Sequence, residues 1–327
     1  LSKIEDLLSE SQKELSKNEK KRTEIRINYS IKRKYFKECI EGNAIFLDKP
    51  DERDSNPEFE STYEAYDQFI NAVITILNRR KTTVLDKQVN IFTTNMDLFL
   101  DDVLEQNNIH FNDGFSGRMN PMFSTSNYNK NTYQTSAHYS NTSEVSTFNL
   151  FKLHGSVNWK KDKDKIYYDN GLKTLIDLQD LPQDEIIEIS NDDNYSTVKE
   201  KLNNTDGSNV NYKNFIEKYN EFVFVNPTKE KFQLTTIDYV FYEQLRIFSN
   251  TLEKENSVLF VHGFSFADEH IQEITVRAVK SNPTLILYVF CFNADQEKSM
   301  KNIFSNCDNV ELISINEDFT FKMQVEK

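Results

Sequence analysis

Glycine is scarce in this chain, with seven in 327 residues. None of them builds a G-x-G-x-x-G turn or a P-loop, and the nearest pair is Gly114 and Gly117. Either no dinucleotide is bound, or the Gly-rich turn that cradles a diphosphate lies ahead of the given sequence. The chain opens on Leu1 and not on Met, with an apolar helical stripe over 1–15 and no strand before it. The expectation is that an N-terminal strand and its Gly-rich loop are missing. Cysteine is scarcer still. Cys39, Cys291 and Cys307 are far apart, odd in number and form no C-x-x-C pair. That excludes a four-cysteine zinc site within the chain and a disulfide framework, and makes a reducing cytoplasm the natural setting. No apolar run approaches the ~20 residues that span a bilayer, and no signal peptide is visible in the given sequence, so no membrane attachment is expected. Positive charge is also short. Against 52 acidic residues stand 39 Lys and Arg, for a net charge of −13. Direct nucleic-acid binding is not expected of such a surface.

What is plentiful is aromatic bulk, chiefly 25 Phe and 15 Tyr. A chain of this length and composition buries a large core. From residue 89 short apolar runs alternate with helical patterns. Strands are predicted at 89–92, 109–111, 148–153, 222–225, 258–261, 285–290 and 310–313. Helices are predicted at 25–40, 63–78, 97–106, 238–253, 268–280 and 296–304. Such alternation implies parallel β-α-β units. Residues 112–146 read as one long polar loop. Residues 159–220 break the rhythm, with a possible strand at 166–168 and short helical pieces, and read as an insert. The expected fold is α/β, a Rossmann-like parallel sheet with helices on both faces plus a smaller inserted helical or irregular subdomain. The Rossmann part would comprise 1–158 and 221–327, and the insert 159–220.

In open α/β sheets ligands gather at the carboxyl ends of strands. Residues 89–97, VNIFTTNMD, and 148–156, FNLFKLHGS, both stop abruptly in chemically capable residues. Asn95 is a neutral donor and acceptor, or simply an N-cap for the next helix. His154 is a satisfied core histidine, or an imidazole suited to take a hydroxyl proton near neutral pH. A third strand end, 258–270, runs VLFVHGFSFADEH. Its 263–267 turn partly matches the nucleophile elbow G-x-S-x-G, but lacks the second Gly and places Phe266 where an oxyanion hole would be. The competing reading is a turn that holds a phosphate or ribose. Asp268 and Glu269 read as ordinary acidic residues at a helix start. Asn293 ends a fourth strand, as a ribose reader or a plain turn residue.

As a set, these four strand ends resemble the sirtuin family. TTNMD at 93–97 is similar to T-Q-N-[IV]-D, KLHGS at 152–156 to [ED]-L-H-G, and GFSF at 263–266 to G-[TS]-S-L, while Cys291-Phe292-Asn293 matches the strand that ends in an adenosine-contacting Asn. The runs at 112–118 and 224–232 (FVNPTKEKF) make the chain more similar to bacterial sirtuin-like domains of antiphage defence than to protein deacylases. They resemble in particular the protein encoded beside a HerA-type ATPase. The resemblance implies NAD as substrate, with Asn95 and His154 as catalytic residues. It implies NAD contacts by Thr94, Asp97, Ser265 and Asn293, and a turn shaped by Gly263. It also implies an NAD+ hydrolase that acts as a defence effector by depleting NAD, working as a homo-oligomer with a hexameric HerA-type ATPase. The family's four-cysteine module is absent, so no zinc is expected, and Thr94 replaces the usual Gln. The alternatives are an NAD-dependent protein deacylase and a non-catalytic subunit that senses NAD or ADP-ribose.

Overall fold

The computed structural model describes residues 22–53, 56–79, 87–138, 140–181, 190, 192–203, 212–225 and 236–314. The helix expected over 1–15 and the PTKEKF run at 227–232 fall outside them. Helix α1 (Arg22–Tyr35) passes through a π turn (Phe36–Ile40) and a 3-10 turn (Glu41–Leu47) to the long α2 (Pro57–Arg79). Strand β1 (Gln88–Thr93) and α3 (Phe99–Gln106) follow. Then come the short strands β2 (Phe111–Asn112), β3 (Phe115–Ser116), β4 (Met122–Phe123), β5 (Tyr133–Thr135) and β6 (Thr142–Glu144). Next are β7 (Thr147–Lys152), β8 (Gly155–Asp162) and β9 (Lys165–Tyr168), and helices α4 (Lys173–Gln179), α5 (Tyr195–Asn203) and α6 (Tyr212–Tyr219). The chain continues through β10 (Phe222–Phe224), α7 (Thr236–Leu252), β11 (Val258–Val261), α8 (Glu269–Ser281), β12 (Ile286–Phe290), α9 (Ala294–Ile303) and β13 (Val310–Ile313).

Two parallel sheets carry the α/β pattern, in the orders β1-β7-β2 and β11-β12-β13. Strand β7 is buried along its whole length, as a central parallel strand must be. Its alternate side chains serve two layers. Phe148 and Leu150 pack with Ile70 and Leu77 of α2 and with Val103 and Leu104 of α3. Phe151, stacked 4.5 Å from Phe92, joins Phe241 and Phe248 of α7 on the other side. Helix α2 forms because Tyr66, Phe69, Ile70, Val73 and Leu77 make one stripe at helical spacing, and that stripe faces the sheet. Each fully buried Phe or Leu contributes roughly 1.5–3 kcal/mol by leaving water. Across the middle of the first sheet, Asn90, Asn149 and Asn112 stand at matched register, and Asn149 Nδ2 donates to Asn90 Oδ1 at 2.8 Å.

Two expectations are corrected. Residues 222–224 do not join a parallel sheet. Strand β10 runs antiparallel to β8, with a register shift at Phe222/Val223, in a five-stranded sheet ordered β10-β8-β9-β4-β3. The stretch 112–146 is not a featureless loop. It holds four short antiparallel strands, β3 to β6, and a 3-10 turn, pinned by Phe123 and Tyr128 in the core and by the Tyr128 hydroxyl, which donates to Asp113 O and Leu150 O. A separate apolar cluster joins α1 to α5 and α6, with Tyr29 in edge contact with Tyr212 and Phe215.

Candidate functional site

The register of β1 against β7 sets Thr93 beside Lys152, so the next residues of the two strands, Thr94–Asn95 and Leu153–His154, emerge side by side. Backbone and buried polar bonds fix both turns. Leu153 N donates to Thr93 O at 2.8 Å, Asn95 N to Thr93 Oγ1 at 3.0 Å, and Val157 N to Met96 O at 3.1 Å. The Ser156 hydroxyl also donates to Met96 O. Lys152 is buried, pairs with Asp101 at 2.7 Å and donates to the Asp97 carbonyl. Asp97 Oδ1 accepts from Phe99 N. Burial raises the Asp97 carboxyl above its ordinary range, and the Lys152 charge opposes that rise.

Asn95 is exposed and does not cap the following helix. The N-cap position is Leu98, without a side-chain bond. The Asn95 side chain is instead hydrogen-bonded to the Tyr66 hydroxyl, and Tyr66 itself stacks on Phe99 at 5.3 Å. Burial pushes the Tyr66 phenol up to about 12, with Asp97 adding to the rise and the Asn95 bond opposing it. After His154 the chain reverses through Gly155 at φ +80°. A Cβ there would meet Val223 O at 2.0 Å. Val225 N donates to His154 O at 2.8 Å, so β10 clamps this turn from outside the parallel sheet.

The second pair of strand ends follows β11 and β12. Gly263 takes φ +62°, and Phe266 takes φ +56°, a backbone that costs a non-glycine residue ~1–2 kcal/mol. Burial of the Phe266 ring against Phe264 and Phe304 offsets that cost. Ser265 is exposed. Asp268 caps α8, its Oδ1 accepting from His270 N and Ile271 N, and Asn293 caps α9 by accepting from Gln296 N. Gln296 ties the two turns together. Its Nε2 donates to Phe264 O at 3.3 Å, and its Oε1 accepts from Phe292 N at 2.6 Å. His262 stacks on Phe290 and meets Phe69 edge-on.

A hydrogen bond joins the two regions. His154 Nε2 lies 3.0 Å from the other oxygen of Asp268, Oδ2, across 114 residues of sequence. Burial raises the Asp268 carboxyl, but the His154 bond and the Ile271 and His270 amides outweigh it and hold the group below its usual range. Thus Thr94, Asn95, Asp97 and His154 are brought together at one pair of strand ends. Gly263, Ser265 and Asn293 lie at the other pair. Sequence reasoning missed Tyr66, Gln296 and the partnership of Asp268 with His154.

The side chains gathered here are amides, hydroxyls, an imidazole and the carboxyls of Asp97 and Asp268, groups able to bond ribose hydroxyls and a carboxamide. That donor set suits NAD on its nicotinamide–ribose side. At the start of α8 Asp268 takes the His270 and Ile271 amides, and at the start of α9 Asn293 takes that of Gln296. Among the described residues no group of three or more metal-ligating side chains occurs, and no helix is long and apolar enough to cross a membrane. A family model described as a SIR2-like domain matches residues 89–313, well over half of the chain's 327 residues. No curated protein matches the chain.

Proposed function

The chain belongs to the SIR2-like family, whose members are generally NAD-dependent enzymes, and from that premise we propose that it is an NAD+ hydrolase yielding nicotinamide and ADP-ribose. The observation that carries the reading is the pairing of Asn95 and His154 at the ends of adjacent parallel strands, each met by a half-buried partner, Tyr66 and Asp268. The bond to be broken joins a cationic nicotinamide nitrogen to a ribose carbon. The leaving group departs neutral and needs no acid, while positive charge develops on the sugar. The protein's task is then to orient the ribose and one water and to exclude bulk solvent. Asn95, with Tyr66 beside it, serves to orient both. His154 accepts a hydrogen bond from a ribose hydroxyl and can take its proton, an effect worth on the order of 100-fold or more. Thr94, Asp97, Ser265 and Asn293 are assigned as NAD contacts, and Gly263 as the residue that shapes the third turn.

The test is loss of NAD on incubation with the protein alone. Asn95→Ala and His154→Ala should each abolish it while leaving the folded state intact, and full activity in either variant sinks the assignment. NAD loss that requires an acetylated peptide would move the function to a deacylase. Tight NAD binding without turnover would make the chain a sensor. The resemblance of 112–118, 151–156 and 224–232 to the protein encoded beside a HerA-type ATPase supports a narrower role. In that role the chain works in the cytoplasm as a homo-oligomer with a hexameric ATPase, as an antiphage effector that drains NAD. Assaying NAD loss with and without that ATPase tests it.

A further inference from the structure

We propose that Asp268 is the positioning residue for His154, selecting the imidazole tautomer that the reaction uses; this rests on the hydrolase reading above. A carboxylate only accepts hydrogen bonds, so the neutral His154 ring facing Asp268 Oδ2 at 3.0 Å must carry its proton on Nε2. That leaves Nδ1 bare, as the atom able to receive a hydrogen bond or proton. The two oxygens of Asp268 have separate duties. Oδ1 caps α8 through the His270 and Ile271 amides, which fixes the carboxylate plane. Oδ2 is thereby aimed at the ring. His154 is fixed from its backbone side by the Val225 amide and by the close approach of Val223 to Gly155. A helix start from one parallel sheet therefore sets the protonation pattern of a residue on the other.

The two duties predict opposite orders of damage. If Asp268 is only a cap, Asp268→Asn is mild, because Asn caps as well as Asp, and Asp268→Ala is the harsher change. If Asp268 selects the tautomer, Asp268→Asn is the harsher one for catalysis. Its amide oxygen keeps the cap, and its NH2 group then points at Nε2, donates to it and drives the ring proton onto Nδ1. In the Ser-His-Asp triad of serine proteases, a mismatched tautomer of this kind costs orders of magnitude in kcat.

The experiment combines three readouts on the same chain. They are the kcat of NAD loss, the thermal midpoint, and long-range 1H–15N correlation spectra of 15N-histidine-labelled protein, with His154 assigned by His154→Gln. The expected result is a fall in kcat of roughly 100-fold or more for Asp268→Asn at an unchanged midpoint, a smaller fall for Asp268→Ala at a lowered midpoint, and a ring proton that moves from Nε2 to Nδ1 in Asp268→Asn. Wild-type kcat in Asp268→Asn, or an Nδ1 proton in the unaltered protein, overturns the proposal. Should the unaltered protein consume no NAD, the hydrolase reading falls. The spectra then still decide the proposal, upholding it if the proton sits on Nε2 and moves in Asp268→Asn.

Discussion

The ends of β1 and β7 and the ends of β11 and β12 hold the same rank in the fold but use their polar residues differently. At the first pair the turns are fixed by backbone bonds and by the buried Lys152 and Ser156, and the side chains of Asn95 and His154 are met by the distant Tyr66 and Asp268. At the second pair the polar side chains are consumed locally, with Asp268 and Asn293 as helix caps and Gln296 as the tie between turns. Among these residues Asp268 serves both, capping α8 and meeting His154. The first turns are held mainly from other parts of the molecule, the second by their own side chains.

Substitutions can break or sharpen this contrast. The largest effect is expected at Gly155. Gly155→Ala adds a Cβ 2.0 Å from Val223 O at a φ of +80°, and should lower stability by on the order of 3 kcal/mol or more, read as a shifted urea midpoint. A wild-type midpoint would mean that β10 can yield and does not clamp the His154 turn. Asn95→Ala should do the reverse, removing NAD turnover while changing stability by no more than about 0.5 kcal/mol, since the side chain is exposed.

Acid should act on the two regions with opposite sign. Burial pushes the Asp113 carboxyl, close beneath the first turns, up to about 6, against the opposing bond from Phe115 N. Between the ordinary carboxylate value and about 6 the folded chain keeps a proton that the unfolded chain has lost, so this group makes stability fall as pH rises. Asp113→Asn should therefore gain roughly 1–3 kcal/mol at pH 8, a gain that vanishes near pH 4. Equal stability at both pH values would remove Asp113 as a source of the pH dependence. Asp268 is held low, so its contribution is present above its unfolded value and is lost as pH falls through its folded one. The smallest effect belongs to Asn293. Asn293→Ala should cost about 1 kcal/mol of stability through the lost cap, whereas Asn293→Asp keeps the cap. A raised KM for NAD in Asn293→Asp at an unchanged midpoint would show that the second pair also binds, and would narrow the contrast.

Much of the α/β pattern was legible because runs such as ILYVF and the stripe of α2 have one periodicity over enough residues. Direction was not legible for β10, since three apolar residues, Phe222–Phe224, carry no information on parallel or antiparallel pairing. The short strands within 112–146 escaped for a related reason, as two or three residues cannot show alternation. At the site, the strand-end residues stood out by type. Tyr66 did not, because its ring belongs to the apolar stripe and hides the hydroxyl that reaches Asn95. The second oxygen of Asp268 was invisible for a different reason. A helix cap is a local pattern, while its bond to His154 exists only after two sheets have been set side by side.

The row of Asn90, Asn149 and Asn112 has a consequence for alignment. A strand that slips by one residue turns every side chain to the opposite face. In an all-aliphatic strand trio such a slip would trade one apolar contact for another. Here it would tear the Asn149 amide from Asn90 and leave a buried polar group without its partner, a loss of about 1–3 kcal/mol. The amides therefore act as a registration mark between β1 and β7. Because Asn95 and His154 sit at the far ends of those same strands, that mark sets the spacing of these two residues from within the sheet.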